Sequence, residues 1–338
     1  MDSSFSKLVF PVLFSVLFTM ALLYANFILP GIIHNALMKF FPDIYQWYTV
    51  PEDVRLLYQF AMIIGLLAFI LSIVFIILGF MARWTKFGLI GVLTLYLPVF
   101  SGFASTMFLF AGLGVLRYIW YPITRIFGGY AGVLSIGYSL LILPLLIVSF
   151  PFLVSDLLQI TVQATITALG VMVFVIIFIG FIILTVSVAT WLYYRLSSAG
   201  IIKQGIYRYS RHPQYLGLLL WCYSLLHLYS IPGSFAHTPP PALPYLILLF
   251  TIIGIALVEE QRLIERYGDE YTNYRKQTPF LIPLPKVVKN FILWIPRRVI
   301  GKDLPETRIE VIKVITVYLL ILALLSMPFD LLMLGHAQ

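Results

Sequence analysis

Charge is scarce in this chain. Asp, Glu, Lys and Arg make up 11% of its 338 residues, where soluble domains carry about 25%. The hydrophobic share is 61%, more than a single buried core absorbs, which excludes an ordinary soluble protein. Cysteine is nearly missing. Cys222 stands alone, so neither an internal disulfide nor a cysteine-cluster metal site can form, and no metal is expected. Negative charge is the scarcer sign, with 14 Asp and Glu against 22 Lys and Arg. No internal repeat is visible.

Long apolar runs fill the chain instead. A helix needs about 20 apolar residues to cross a bilayer. Eight stretches are candidates: 8–33, 57–81, 87–113, 130–152, 168–193, 214–231, 242–263 and 311–334. Lipid offers no partner to an unpaired backbone group, so each is expected to be helical. The expected fold is all-α and integral to the membrane, with about eight transmembrane helices. The first run is too long for a signal peptide, and Asn26 and Pro30 do not form a small-residue cleavage site, so it is expected to be retained.

The basic residues are unevenly placed. Eight spans put all but three of the 22 Lys and Arg on one side: Lys39, Arg55, Arg117, Arg125, Arg195, Lys203, Arg208, Arg211 and those from Arg262 to Lys313. Lys7, Arg83 and Lys86 remain for the other side. The positive-inside rule then makes the basic side cytoplasmic and puts both termini opposite. Topology accounts for most of the positive excess. Membrane lipids with anionic headgroups are therefore the expected partner, and nucleic acid is not.

Residues 1–160 read as a four-span region without a chemical motif. Its aromatics, among them Tyr45, Trp47, Tyr48 and Trp120, fall near span ends as an interfacial belt would. Asp156, Gln159 and Gln163 read as helix caps or interface residues. The dense chemistry lies in 161–285, where Pro232-Gly233 and Pro239-Pro240-Pro241 mark a non-helical turn. Residues 286–338 combine an amphipathic segment with the last span. In that segment Lys286, Lys289, Arg297, Arg298 and Lys302 alternate with Val287, Val288, Phe291, Ile292, Leu293 and Trp294, the pattern of a helix lying on the inner leaflet.

Two polar blocks stand out in 161–285. The first is Gly205-Ile-Tyr207-Arg208-Tyr-Ser-Arg211-His212-Pro213-Gln-Tyr215-Leu-Gly217. Pro213 suits the first turn of a helix. Arg211 and His212 then sit at its N-terminal end, where unpaired N–H groups and the helix dipole favour a negative group. Gly217 permits close approach by a ligand or by another helix. The second block starts at Glu259-Glu260, which continue the preceding span without a breaker, and runs through Tyr267 to Arg275. Adjacent residues point about 100° apart on a helix, so only one glutamate faces a given pocket. A carboxylate near the membrane needs a partner; Arg211, Arg262 or a cationic ligand can serve. Tyr267, Tyr271 and Tyr274 fall at i, i+4 and i+7, one helical face, and their rings suit an adenine or a sulfonium. Each feature alone has a structural explanation: Arg208 and Arg211 as anchors, His212 as a cap, the tyrosines as interface aromatics, and the glutamates as partners of Arg262 and Arg266. The joint pattern favours a site.

Both blocks resemble signatures of the isoprenylcysteine carboxyl methyltransferase and phospholipid methyltransferase superfamily. The first block matches as Gly-x-Tyr-x-x-x-Arg-His-Pro-x-Tyr-x-Gly. The second matches as Glu-Glu-x-x-Leu-Ile-x-x-Tyr-Gly-Asp-Glu-Tyr-x-x-Tyr-Arg-Lys at 259–276, continued by Pro279. The resemblance covers roughly 170–285. It implies S-adenosylmethionine (SAM) as cofactor, in a pocket on the cytoplasmic face. Tyr207, Arg211, His212, Pro213, Tyr215 and Gly217 would line it from one side and Glu259 and Glu260 from the other, with the loop between the blocks as a lid. A lipid or prenylated acceptor would enter from the bilayer, and Arg211, Glu260 and Arg275 are the implied catalytic residues. One departure bears on the acceptor. Isoprenylcysteine enzymes commonly carry arginine two residues before the closing proline, where this chain has Gln277. Arg275 or Lys276 is then the cation left to hold an acceptor carboxylate. Amine transfer to a phospholipid is the alternative acceptor chemistry. A membrane sterol reductase using NADPH is the alternative of another class, since such reductases share an Arg-His-Pro-like segment. Glu260→Gln and Arg211→Ala are each expected to abolish turnover in a chain that still folds.

Overall fold

The computed structural model describes residues 3–42, 52–99, 111–126, 133–148, 162–197, 200–227 and 242–335. All regular structure among them is helical. In chain order the α-helices are α1 (Ser3–Phe27), α2 (Leu29–Leu37), α3 (Glu52–Met81), α4 (Thr85–Tyr96), α5 (Tyr121–Ile126), α6 (Tyr138–Val148), α7 (Val162–Ser197), α8 (Pro213–Leu226), α9 (Ala242–Tyr267), α10 (Asp269–Gln277), α11 (Lys286–Ile300) and α12 (Arg308–Gly335). Short 3-10 turns lie at Leu97–Val99, Gly112–Ile119 and Gly205–Arg208.

Among the described residues five helical stretches are long and apolar enough to cross a membrane: Leu8–Leu37, Arg55–Met81, Thr167–Ser197, Ala242–Tyr267 and Arg308–Leu332. This is the make-up of a multi-pass membrane protein. Each overlaps one of the expected spans. The expected span at 87–113 opens as α4 but gives way to the Leu97–Val99 turn, and residues 100–110 lie outside those described. Within 130–152 the regular helix is α6, with 11 residues. Helix α8 starts at Pro213, as the proline predicts, and holds 14 residues. At 1.5 Å per residue that is about 21 Å, less than the roughly 30 Å of bilayer hydrocarbon. Tyr45, Trp47, Tyr48, Asp156, Gln159 and the proline-rich turn at 232–241 also lie outside the described residues.

The chain forms two compact units, each assembled from separate stretches. The first comprises 1–24, 176–221 and 252–318. In it α1 meets α7 through hydroxyls: Ser15 donates to the Thr185 carbonyl, and the Thr19 and Thr185 hydroxyls lie 2.7 Å apart. Small residues and hydroxyls are what helices use to associate in lipid. The α7–α8 crossing is closer still. A Cβ on Gly217 would fall 2.7 Å from the Leu184 nitrogen, and one on Gly180 would fall 2.9 Å from the Trp221 nitrogen. Phe181 and Trp221 close the same crossing, with ring centroids 4.6 Å apart.

The second unit comprises 25–175, 222–251 and 319–338. Leu95, Val99, Ile119, Trp120, Val133 and Leu134 form a buried cluster in it. Trp120 corrects the expectation of an interfacial aromatic. It is 1% exposed and donates its indole N–H to the Leu95 carbonyl at 2.7 Å, so its polar edge is spent inside the unit rather than at a membrane surface. The sequence gives no sign of a second buried feature, Asp330 on α12. Its two carboxylate oxygens accept the N–H groups of Gly137 and Ser139, each at 2.8 Å. Those residues flank the start of α6, where free N–H groups and the positive end of the helix dipole meet.

Asp330→Ala strands those two buried donors. It should lower unfolding stability by about 1–3 kcal/mol and lower Tm in detergent. Asp330→Asn keeps one acceptor and should fall between. An unchanged Tm for Asp330→Ala would contradict the assignment.

Candidate functional site

The site lies within the first unit. Gly205, at φ +59°, turns the chain into the 3-10 turn Gly205–Arg208. The turn buries Tyr207 and leaves Arg208 and Tyr209 exposed. Three contacts fix this loop to the second polar block. The Tyr274 hydroxyl donates to the Tyr207 carbonyl at 2.5 Å. The Arg211 backbone N–H donates to the Pro279 carbonyl at 3.0 Å. Lys203 Nζ lies 2.7 Å from Glu270 Oε1 at the surface. The loop thereby delivers His212 to the start of α8, where its carbonyl accepts the Leu216 N–H at 3.0 Å.

Glu260, from α9, is 1% exposed and stands at the centre. Its Oε1 lies 2.9 Å from Arg211 Nε and 3.1 Å from His212 Nε2, and its Oε2 lies 3.1 Å from Arg275 Nε. Neither guanidinium Nε aims its N–H along the line to the carboxylate, so both hold it as charge contacts. Arg211 also donates from Nη1 to the Arg275 carbonyl at 2.8 Å, which locks the two arginines together. Burial pulls the Arg211 guanidinium below its usual pKa, and the charge of Glu260 pulls the other way.

The second glutamate looks elsewhere, as the 100° step requires. Glu259 Oε1 accepts the Tyr215 hydroxyl at 2.9 Å and is only partly buried. Tyr207 lies beside this pair. Its hydroxyl is buried without a partner at hydrogen-bond geometry, although the Gln214 side chain is near enough to lower its pKa. Burial, with Tyr274 and Glu259 nearby, nonetheless pushes Tyr207 well above the ordinary phenol range. Tyr274 is pushed up to about 12, mainly by burial. Both phenols are neutral donors at working pH. An aromatic wall completes the site: the His212 ring stacks on Tyr215 at 5.8 Å and meets Phe280 edge-on at 5.0 Å, and the Arg211 guanidinium lies 5.6 Å from the Phe280 centroid.

Tyr207, Arg211, His212, Pro213, Tyr215, Glu259, Glu260 and Arg275 are thus brought together. Gly217 takes the second of its two readings and faces the backbone of α7. The tyrosine stripe needs correcting. Helix α9 ends at Tyr267, and Gly268 at φ +53° starts α10 in a new direction, so the three rings do not share one face. Tyr271 and Tyr274 remain buried neighbours at 5.9 Å. Tyr267 instead packs under Arg266 at 5.2 Å. Phe280 and the Pro279 carbonyl were not foreseen as site groups; the closing proline of the second block was the available signal.

Residues 130–278, which include most of these side chains, match a family described as a protein of unknown function (DUF1295). The chain is also 34% identical over 85 residues to a protein-S-isoprenylcysteine O-methyltransferase of Schizosaccharomyces pombe, a match covering 25% of this chain and 33% of the relative. The chain therefore spans about a third of the length of the curated relative it matches. No solved structure matches.

The burial of Glu260 revises what its substitution does. Removing one partner of a buried ion pair typically costs about 3–5 kcal/mol, because a charge is left uncompensated. Glu260→Gln strands two guanidinium groups and should lower stability by that order, seen as a lower Tm in detergent. Glu259→Gln keeps an acceptor for the Tyr215 hydroxyl and should change stability by less than about 1 kcal/mol. Equal effects from the two would contradict this division.

Proposed function

We propose that the chain is an integral membrane methyltransferase that moves a methyl group from SAM to the carboxylate of a lipid or isoprenylcysteine-type acceptor. The carrying observation is the clasp of Glu260 by Arg211, His212 and Arg275. It joins both signature blocks in one site, and the partial isoprenylcysteine methyltransferase relative is consistent with it. The reading takes 161–285 as the methyltransferase core. It places the site on the cytoplasmic side, which the Lys and Arg of the two polar blocks and of 286–313 support by the positive-inside rule.

The residues present fit SAM. Glu259, which accepts the Tyr215 hydroxyl on one oxygen, suits a ribose hydroxyl or an ammonium, and the buried Tyr207 hydroxyl beside it is a further donor. The first turn of α8 beside Arg211 suits a carboxylate. The rings of Tyr215, His212 and Phe280 suit an adenine or a sulfonium. When bound, SAM supplies an electrophilic methyl group for direct displacement by the acceptor.

The chain's own contribution is placement, which supplies much of the catalysis in such displacements. Glu260 neutralises one of two neighbouring arginines, so the clasp carries surplus positive charge. Arg275 is its more open member, with a side chain 18% exposed. It is the cation that orients an acceptor carboxylate in place of the exposed Gln277. A carboxylate needs no base. An amine acceptor, the second reading, must first lose a proton. Only Glu259 suits that task, because Glu260 is held among cations.

Calorimetry on the purified chain should show binding of SAM and not of NADPH, and labelled SAM should yield a base-labile methyl ester on a farnesylated cysteine. Arg275→Ala should lower kcat/KM for that acceptor by roughly 10–100-fold, the worth of a charged hydrogen bond, with partial rescue by Arg275→Lys. Heat from NADPH alone would overturn the proposal in favour of a reductase. Stable methylation of phosphatidylethanolamine alone would overturn the carboxylate acceptor.

A further inference from the structure

We infer that α11 is a membrane-surface helix that binds anionic lipid headgroups. The inference stands independently of methyl transfer. Helix α11 has 15 residues, about 22 Å of helix, too short to span a bilayer. It carries Lys286, Lys289, Arg297 and Arg298 and no acidic residue. Val287, Phe291 and Trp294 follow at i, i+4 and i+7 and share one face. That face is bare: Val287 and Phe291 are each 80% exposed and Trp294 is 55% exposed. By the same 100° steps Asn290, Arg297 and Lys286 project along one flank of that face, and Lys289 from the side opposite it. Arg298 falls within the apolar arc but lies over the Trp294 ring, 5.8 Å from its centroid, the posture of a cation reaching past an apolar surface toward headgroups.

Charge complementarity decides what covers this face. Arg297 pairs with Asp303, and Lys302 pairs with Glu306 and Glu310, so the acidic residues of the following turn are taken up locally. Lys286 then flanks the apolar arc and Arg298 lies within it, both exposed, which suits an anionic bilayer surface. The helix is also held in place. Pro285 and Gly301, at φ +71°, bound it, and the Tyr318 hydroxyl of α12 donates to the Ile292 carbonyl, tying it to a candidate span. Ile282 and Leu284, both exposed, precede the helix in the chain and add apolar side chains at its N-terminal end.

The test uses the full chain with Cys222→Ala and Phe291→Cys as its single cysteine, spin-labelled in lipid nanodiscs. Accessibility to oxygen and to a water-soluble nickel chelate is compared in phosphatidylcholine alone and with about a third phosphatidylglycerol. Each Lys or Arg near an anionic surface favours attachment about fivefold. The oxygen-to-nickel ratio at 291 should therefore rise at least about fivefold with phosphatidylglycerol, and fall back in high salt. Combining Lys286→Gln, Lys289→Gln and Arg298→Gln, all exposed positions, should abolish the rise. Nickel access in both lipids would overturn the inference, as would equal ratios in the two. Shielding from both reagents would also overturn it, since a protein partner or a second copy would then cover the face.

Discussion

The Glu260 carboxylate is the charge around which the polar interior of the first unit is arranged. A carboxylate at 1% exposure costs several kcal/mol in desolvation unless cations and donors compensate it. The compensation comes from two segments, Arg211 and His212 on one and Arg275 on the other. Remove the carboxylate and two guanidinium groups repel each other where little water reaches them. Remove either segment and the carboxylate is stranded. The loop before α8, the end of α9 and α10 meet at this one carboxylate, and the Tyr274–Tyr207 and Arg211–Pro279 hydrogen bonds reinforce the junction.

Backbone geometry makes that requirement satisfiable. The contact between Gly217 and Gly180 lets α8 lie close against α7, which fixes where Arg211 and His212 emerge. Gly268 bends the chain after α9, so α10 brings Arg275 back to the glutamate four turns behind it. The 100° step between Glu259 and Glu260 then separates two roles. One carboxylate is enclosed by cations, and its neighbour meets Tyr215.

Asp330 shows that a buried acid in an apolar helix does not by itself mark a site. Its oxygens meet backbone N–H groups at a helix start, a purely structural arrangement. Glu260 meets side-chain cations drawn from two separate polar blocks, with a buried tyrosine hydroxyl and a second carboxylate close by. The identity of the partners, rather than burial, separates a fold-holding carboxylate from one at a site.

Much of this was legible in the sequence. Scarce charge and long apolar runs determined a helical membrane protein, because lipid leaves the backbone no other partner. Pro213 marked the start of α8, the two polar blocks held the residues that meet around Glu260, and the Lys and Val–Phe–Trp pattern marked α11 as amphipathic. Tertiary structure alone decided the rest. It chose which glutamate is enclosed, turned Gly217 toward a helix, broke the tyrosine stripe at Gly268, buried Trp120, added Phe280 and gave Asp330 its partners. Periodicity and composition report what each residue prefers along its own helix. A buried charge or an indole N–H is satisfied only by groups from distant segments, and where those segments meet is set by packing.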